Sequence, residues 1–516
     1  MSNRLLKSTF VVGFFTLLSR ISGFVRDMIF ARMFGATAGM EAFLVAFKIP
    51  NFMRRLFAEG SFTQAFVPVL SEYKTKYSHK EMVDFIRNVA GTLGVILLLL
   101  TAFGMIFSSA WVLVFAPGFY GEPEKFHMAS QMLSITFPYI FSIALTALAG
   151  SVMNCFSRFA VPAFTPVLLN ASMIIFALNA DYFSIPVYAL AWGVFTAGFI
   201  QLAFQIPFLI KLKVLAWPKW GWHHLGVKKL MILMVPALFG ASVAQISLLL
   251  DTIFASFLPT GSISWLYYAD RLNQFPLGVF GVALSTVVLP HLSKHHANQD
   301  QSRYNGSLDW ALRLVFLLAL PAAVGLMCLS GPMLTSLFNY GQFNQHDVLE
   351  TQKTLVAFSV GLFSFIMVKV LVSAFYSRQN MKTPVKIGVI ALTSNMILNA
   401  ILVLALIPYG LGHVGLAVAT SISSFINGIL LFYMLKKLNL YQALPGWLFF
   451  LMRIFIACAV MASILLYFQG AITEWFNYPF HDRISHLLML IVMGGIAYFA
   501  VLVLLGMRRK HFIHHQ

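Results

Sequence analysis

Fourteen long apolar segments, separated by short polar loops, constrain this chain more than any other feature. A helix needs ~20 mostly apolar residues to cross the hydrocarbon core of a bilayer. Because no water is present there to satisfy the backbone, each segment must be helical. The segments lie at 8–33, 38–72, 83–115, 127–154, 160–180, 186–210, 229–258, 262–290, 307–332, 353–376, 384–407, 412–435, 446–468 and 484–507. The sequence therefore predicts an all-α polytopic membrane protein with about 14 transmembrane helices.

The composition excludes the main alternatives. Hydrophobic residues make up 59% of the chain and charged residues only 10%, against roughly 25% charged residues in soluble domains. A soluble enzyme would lack the charge to cover its surface, and a disordered chain would be poor in apolar residues. The net charge of +18 can be assigned to the loops, so we expect no nucleic-acid partner.

Basic residues concentrate in alternate loops, which sets the orientation of the chain. Both termini lie on the basic side, and the opposite loops carry chiefly Lys125 and Arg483. The positive-inside rule therefore predicts cytoplasmic N- and C-termini in a multi-pass protein. The basic loop residues are Lys74, Lys76, Lys80, Arg158, Lys211, Lys213, Lys219, Lys228, Lys229, Lys294, Arg303, Arg378, Lys382, Lys386, Lys436 and Lys437.

One of these loops, between the sixth and seventh spans, mixes indoles with ammonium groups. Trp217, Trp220 and Trp222 stand among the lysines of residues 211–229. That mixture is typical of a segment lying on the lipid headgroups. A docking site for a partner protein is the alternative.

The two halves of the chain resemble each other at an offset of about 220 residues. The sequence DMIFA at 27–31 recurs as DTIFA at 251–255, and five further short matches follow in the same order. The pattern predicts two parallel six-helix lobes followed by two extra helices. The predicted divisions are 1–215, 216–440 and 441–516. Parallel repeats of this kind place a substrate site between the lobes, and rocking of the lobes alternates access to it.

Several charged residues fall inside predicted spans, where each would cost about 2.5–3.5 kcal/mol at the bilayer centre. Arg55 and Glu59 are one helical turn apart and can pair, as can Asp27 with Arg26. Even so, basic groups outnumber acidic ones, and guanidinium groups match phosphate oxygens. We therefore expect an anionic, phosphate-bearing substrate. The charged residues are Arg20, Arg26, Asp27, Lys48, Arg54, Arg55, Glu59, Asp251, Asp270, Arg271 and Lys369.

Other roles remain open for some of these residues. Arg20 and Arg26 could serve helix packing, and Lys48 and Lys369 could reach an interface. Adjacent helical positions point some 100° apart, so only one of Arg54 and Arg55 is expected to face a cavity. A weak candidate cation site consists of Asp251, Asn395 and Asn399, with polar helix packing as the alternative; no firm metal site is predicted.

No catalytic or nucleotide-binding motif appears in the sequence. There is no GxxxxGK[ST] sequence, no nucleophile elbow and no HExxH. We therefore expect a transporter rather than an enzyme, without a cofactor. Its energy would come from the membrane potential, an ion gradient such as that of a monovalent cation, substrate supply or another protein.

Long motifs in both halves resemble the MurJ (MviN) family. They are SRISGFVRD at 19–27, FKIPNFMRRLFAEG at 47–60, QAFVP at 64–68, WLYYADRL at 265–272 and FYSR at 375–378. The resemblance spans essentially the whole chain. It implies membership of the multidrug/oligosaccharidyl-lipid/polysaccharide (MOP) exporter superfamily, with a MATE-like arrangement of two lobes.

The resemblance also implies a function. Members flip lipid II, the undecaprenyl-diphosphate-linked peptidoglycan precursor, from the cytoplasmic to the outer leaflet of the bacterial inner membrane by alternating access. Arg20, Arg26, Arg54 and Arg271 match the family's essential cavity arginines, and Asp27 and Glu59 match its acidic positions. Helices within 441–516 resemble those forming the groove for the lipid tail, ahead of a cytoplasmic tail. Expected substrate-binding residues are thus these six together with Lys48, Arg55 and Asp270.

Three rival functions remain open from sequence. The first is a flippase for another undecaprenyl-linked oligosaccharide, such as an O-antigen unit. The second is an ion-coupled antiporter of the MATE type, which a cationic cavity disfavours. The third is a non-transporting scaffold for the cell-wall synthesis machinery. If the protein is a flippase, its expected partners are lipid II, membrane lipids and the cell-wall synthesis machinery.

Overall fold

The computed structural model describes residues 3–58, 61–215 and 217–507, and every regular element within them is helical. Short 3-10 turns and one π-helical turn at Leu277–Gly281 connect some of the helices. The α-helices are α1 Asn3–Phe34, α2 Ala38–Ala58, α3 Ser61–Lys76, α4 His79–Ile106, α5 Ser108–Phe115, α6 Pro123–Thr136, α7 Pro138–Cys155, α8 Ala160–Leu178, α9 Tyr188–Lys211, α10 Leu225–Ser256, α11 Ser262–Pro276, α12 Val282–Ala297, α13 Gln301–Cys328, α14 Ser330–Phe338, α15 Gln345–Tyr376, α16 Lys382–Leu406, α17 Gly412–Lys437, α18 Trp447–Phe468, α19 Ile472–Trp475 and α20 Phe480–Leu504.

The prediction of an all-α polytopic membrane protein is confirmed. In the described part of the chain, 11 helical segments are long and apolar enough to cross a membrane. The other three predicted spans coincide with α1, with α2 and α3 together, and with α10. The lengths of these elements suit a span.

The chain packs as two compact units, Met1–Gly261 and Ser262–Gln516. The first unit contains α1 to α10, and the second contains α11 to α20. Helix α10 therefore packs with the first unit, chiefly against α3, although the repeat assigns it to the second lobe. The division by packing thus differs from the division by sequence repeat, and the boundaries at 215 and 440 stay predictions.

Within the first unit, α8 packs between α1 and α9, and α7 packs against α9. Buried residues of α7 are small or apolar, as close helix packing in a membrane requires. Pro50 lies inside α2 and Pro68 lies inside α3, and proline removes a backbone hydrogen bond of a helix. The segment predicted as one span, 38–72, contains two helices in the described residues, α2 and α3.

Within the second unit, α17 packs against both α15 and α16. A Cβ on Gly361 of α15 would lie 2.5 Å from the Ser421 hydroxyl of α17. The two helices therefore approach at a distance that only glycine permits.

The two extra helices α18 and α20 pack on each other and on α13. Their shared core includes the fully buried Ile454, Trp475 and Leu490. The linker before α18 is held by Asp309 of α13, whose Oδ1 accepts from the Tyr441 hydroxyl at 2.7 Å and the Trp447 indole at 2.8 Å. The C-terminal helix pair is thus anchored to the second unit by a buried carboxylate.

Candidate functional site

The first unit buries an arginine–aspartate pair on α1. Arg26 is only 5% exposed and Asp27 is fully buried. The Arg26 Nε and Nη2 atoms donate to Asp27 Oδ1 at 3.0 and 2.7 Å. The guanidinium also lies over the Phe30 ring, 5.5 Å from its centroid. The pairing of Asp27 with Arg26, proposed from sequence, is present, and it offsets the cost of burying either charge alone.

A third residue, Asn170 of α8, completes this cluster. Its Oδ1 accepts from Arg26 Nη1 at 3.0 Å. Its Nδ2 donates to the Ser19 carbonyl at 3.0 Å and to the Ser22 hydroxyl at 2.9 Å. Sequence reasoning missed Asn170, although an amide inside the apolar run of α8 was a signal.

The other basic residues of the first unit are more accessible. Arg20 is exposed, six residues before Arg26 on the same helix. On α2, Lys48, Arg54 and Arg55 are half-buried, and Arg54 Nε donates to Asn51 Oδ1 at 3.0 Å. The structure thus leaves both Arg54 and Arg55 partly exposed. Glu59 lies outside the described residues, and so does its predicted pairing with Arg55.

In the second unit, Asp270 and Arg271 are half-buried on α11. Gln274, one turn along, donates to the Asp270 carboxylate. The Arg271 guanidinium lies 5.5 Å from the Tyr267 ring centroid. Lys369 of α15 is half-buried. Its aliphatic side chain lies close to the π-helical turn, since a Cβ on Gly281 would be 3.0 Å from the Cδ of Lys369.

The candidate cation ligands are divided between the two units. Asp251 is half-buried on α10 of the first unit. Asn395 and Asn399 are buried on α16 of the second unit, and Asn399 Nδ2 donates to Asn395 Oδ1 at 3.3 Å. Among the described residues, no group of three or more His, Cys, Asp or Glu side chains is arranged to hold a metal ion. The cation site stays a prediction.

The two basic residues assigned from sequence to the opposite loops are in fact buried. Lys125, in the first turn of α6, is 1% exposed and pairs with the buried Glu41 at 2.7 Å. Arg483, in the first turn of α20, is 7% exposed and donates to the carbonyls of Tyr478 and Phe476 at 2.8 and 2.9 Å. Neither contributes a surface charge, so the bias of exposed charge toward the other loops is larger than the sequence indicated.

The helical architecture gives this polytopic membrane protein the fold of the MOP exporters. A solved structure titled as an inward-facing multidrug resistance MATE family transporter of the MOP superfamily superposes with a TM-score of 0.62. That match has 13% sequence identity and covers 81% of this chain and 95% of the other. At this identity the likeness shows the fold alone.

Sequence comparison then defines the family: the chain belongs to the MurJ family. The family model described as "Lipid II flippase MurJ" matches residues 30–486. A "Probable lipid II flippase MurJ" from Vibrio cholerae serotype O1 is 46% identical, covering 99% of this chain and 98% of that protein. A solved "Lipid II flippase MurJ, inward closed conformation" has a TM-score of 0.78 at 28% identity, covering 96% of this chain and all of that one. The family resemblance inferred from the motifs is confirmed.

Proposed function

We propose that this protein is a lipid II flippase, which carries the undecaprenyl-diphosphate-linked peptidoglycan precursor from the cytoplasmic to the outer leaflet. Membership of the MurJ family along 30–486 supports this function, as does the name of the Vibrio cholerae relative. The protein is thus a transporter and not an enzyme, and it acts in peptidoglycan biosynthesis in the bacterial inner membrane.

The observation that carries the proposal is a set of guanidinium groups on helices that fall within predicted membrane spans. Arg20 is exposed, and Arg54 and Arg271 are half-buried, so each presents surface that an anion can contact. Arginine binds diphosphate oxygens through short, charge-assisted hydrogen bonds. The diphosphate is the part of the substrate that hydrocarbon excludes, and these groups would replace its water shell.

Arg26 has a different role in this scheme from the more accessible arginines. Asp27 and Asn170 hold its guanidinium through three hydrogen bonds. The Arg26–Asp27 pair carries no net charge, and its dipole is held in a fixed orientation without side-chain rearrangement, as in preorganised binding sites. We therefore assign Arg20, Arg54 and Arg271 to direct diphosphate contact and Arg26 with Asp27 to the electrostatic frame, with Lys48, Arg55, Glu59 and Asp270 contributing around them.

The lipid tail would stay in the bilayer beside the C-terminal helices. One face of α20 is apolar and open along Val492, Gly495, Ile496, Phe499, Ala500, Val503 and Leu504. An exposed apolar face of this kind suits contact with an isoprenoid chain. The polar headgroup would cross through the protein while the tail slides along this face.

Orientation and energy complete the proposal. Both termini would lie in the cytoplasm, an orientation that the exposed loop cations support. Alternating access of the two lobes would move the headgroup, driven by the membrane potential or by a monovalent cation at Asp251, Asn395 and Asn399. The cell-wall synthesis machinery is the expected partner that uses the product.

Depletion with complementation in cells tests the function. Arg26→Ala and Arg271→Ala are each expected to give a membrane-inserted protein that fails to deliver lipid II to the outer leaflet. Arg303→Ala, which removes an exposed arginine paired with Asp300 outside the spans, is the matched control and should support growth. Normal growth and normal lipid II export by both test variants would refute the proposal.

A further inference from the structure

The loop between α9 and α10 follows the surface of α4. We call residues 212–215 and 217–224 the tryptophan loop. Near its start, the Lys213 carbonyl lies 3.1 Å from Nε2 of His79, the first residue of α4. Two turns further along α4, Arg87 Nε donates to the Trp217 carbonyl at 2.9 Å. The loop therefore runs along the helix instead of projecting into solvent.

The tip of the tryptophan loop is fixed deeper along α4. The Lys219 amide donates to the Arg87 carbonyl at 3.1 Å, and the Gly221 amide donates to the Thr92 hydroxyl at 3.1 Å. A Cβ on Gly91 would lie 2.1 Å from the Lys219 carbonyl oxygen, so only glycine permits this approach. With a rise of 1.5 Å per residue, Thr92 lies ~20 Å from His79 along the helix axis.

The sequence of α4 shows where this tip lies relative to the membrane. Its first three turns carry Lys80, Glu81, Asp84 and Arg87, and the remainder to Ile106 has no charged residue. The boundary between charged and apolar residues marks the membrane–water interface of a span. The tip contacts α4 on both sides of this boundary. Its hydrogen-bonded backbone amides suit the edge of the bilayer, where little water is available to satisfy them.

Three indoles project from this tip. Trp217 is 87% exposed, Trp220 is 51% exposed and Trp222 is 45% exposed, and the last two rings stack with centroids 6.1 Å apart. Exposed tryptophans on a fixed backbone are unfavourable in water. At a bilayer interface the same side chains are favoured, because the ring enters the acyl boundary while its N–H stays hydrated.

Lysine side chains accompany the indoles. Lys211, Lys213, Lys219 and Lys228 are all exposed, and no Asp or Glu occurs between residues 211 and 229. The neighbouring carboxylates have partners of their own: Glu72 binds Lys229 at 2.5 Å, Glu81 binds the Ser78 hydroxyl at 2.7 Å and Asp84 binds the Asn88 amide at 3.0 Å. The exposed charge of this segment is therefore cationic.

We propose that the tryptophan loop is a binding site for an anionic phospholipid of the surrounding leaflet. The lysine ammonium groups would bind the phosphate, and Trp217, Trp220 and Trp222 would pack against the glycerol and upper acyl chain. The site is independent of the flipped substrate. Its effect is to fix the depth and tilt of α4, α9 and α10 in a membrane that contains negative lipid.

Native mass spectrometry of the purified full-length protein, titrated with phosphatidylglycerol or phosphatidylcholine, tests this inference. The test variant is Lys213→Gln with Lys219→Gln, which keeps both backbone hydrogen bonds. The control is Lys382→Gln with Lys386→Gln, two exposed lysines of α16 in the second unit. Each surface lysine contributes about 5-fold to binding of anionic lipid, so we expect the test variant to lose roughly 10- to 30-fold in phosphatidylglycerol affinity. The control and the phosphatidylcholine titrations should stay within about 2-fold.

Further variants distinguish the site from a general charge effect. Lys213→Arg with Lys219→Arg should retain phosphatidylglycerol binding, and it also serves if the glutamine variant fails to fold. Trp217→Ser should lower the affinity for phosphatidylglycerol and for phosphatidylcholine by a similar factor, since the indole would contact the acyl chain and the glycerol of either lipid. The proposal is overturned if the wild type does not prefer phosphatidylglycerol to phosphatidylcholine. It is also overturned if the control variant loses as much phosphatidylglycerol affinity as the test variant. Competition between lipid II and phosphatidylglycerol for this loop would assign the loop to the substrate and overturn it as well.

Discussion

Replacing Asn170 by alanine should weaken the packing of α1 on α8 and release one side of the Arg26 guanidinium. The side chain makes three hydrogen bonds, to Arg26, Ser19 and Ser22. In soluble proteins these would contribute ~1.5–3 kcal/mol for the charged bond and ~0.5–1.5 kcal/mol for each neutral bond. In membranes the average is only ~0.6 kcal/mol, because the unfolded helices also find polar partners.

The membrane value decides the expected magnitude. The two neutral bonds contribute ~0.6 kcal/mol each, and the Arg26 bond contributes ~1–1.7 kcal/mol, since its donor is charged and both partners are buried. We therefore expect Asn170→Ala to lower the free energy of unfolding by about 2–3 kcal/mol.

A double-mutant cycle with Arg26→Ala and Asn170→Ala, followed by unfolding in SDS micelles, measures the coupling energy between the two side chains. Ser22→Ala is the control, because it removes one neutral partner of Asn170 and leaves Arg26 held. A coupling energy below about 0.3 kcal/mol, within the range of independent sites, would show that Asn170 does not hold Arg26. The assignment of Arg26 to a fixed electrostatic frame would then be wrong.

Two further predictions concern the second unit. Gly361→Ala should destabilise the protein by about 1–3 kcal/mol, since its Cβ would meet Ser421 at 2.5 Å; Gly388→Ala, with nothing within 4 Å, should be neutral or slightly stabilising in the same thermal unfolding assay. Burial and the neighbouring Asp309 raise the pKa of Tyr441, which lies between α17 and α18. The folded state therefore favours the protonated phenol, and stability should fall as the pH rises above ~10, where the unfolded chain ionises. Tyr441→Phe should reduce this alkaline loss and lower stability near neutral pH, and equal pH profiles for the two proteins would contradict the assignment.

The helical spans were predictable from sequence because each depends on local composition alone. Length and hydropathy define a membrane helix wherever its partners lie. The packing of α10 with the first unit was not predictable, since both lobes offer α10 apolar surfaces of similar composition.

The candidate site was predictable in residue type but not in geometry. Charged residues within apolar segments drew attention to Arg26, Asp27 and Arg271. Their burial depends on partners distant in sequence, such as Asn170, which lies 144 residues after Arg26. Lys125 appeared to be a loop residue for the same reason, because its burial depends on Glu41 on another helix.

Lipid II translocation by the purified protein in proteoliposomes tests the central claim most directly. Wild-type protein should move lipid II across the bilayer and should move it faster than an O-antigen-type undecaprenyl-linked oligosaccharide. Loss of one guanidinium–phosphate contact, worth ~1.5–3 kcal/mol, should slow Arg271→Ala by roughly 10- to 150-fold. Equal rates for Arg271→Ala and the wild type, or no translocation by the wild type under a membrane potential, would contradict the account.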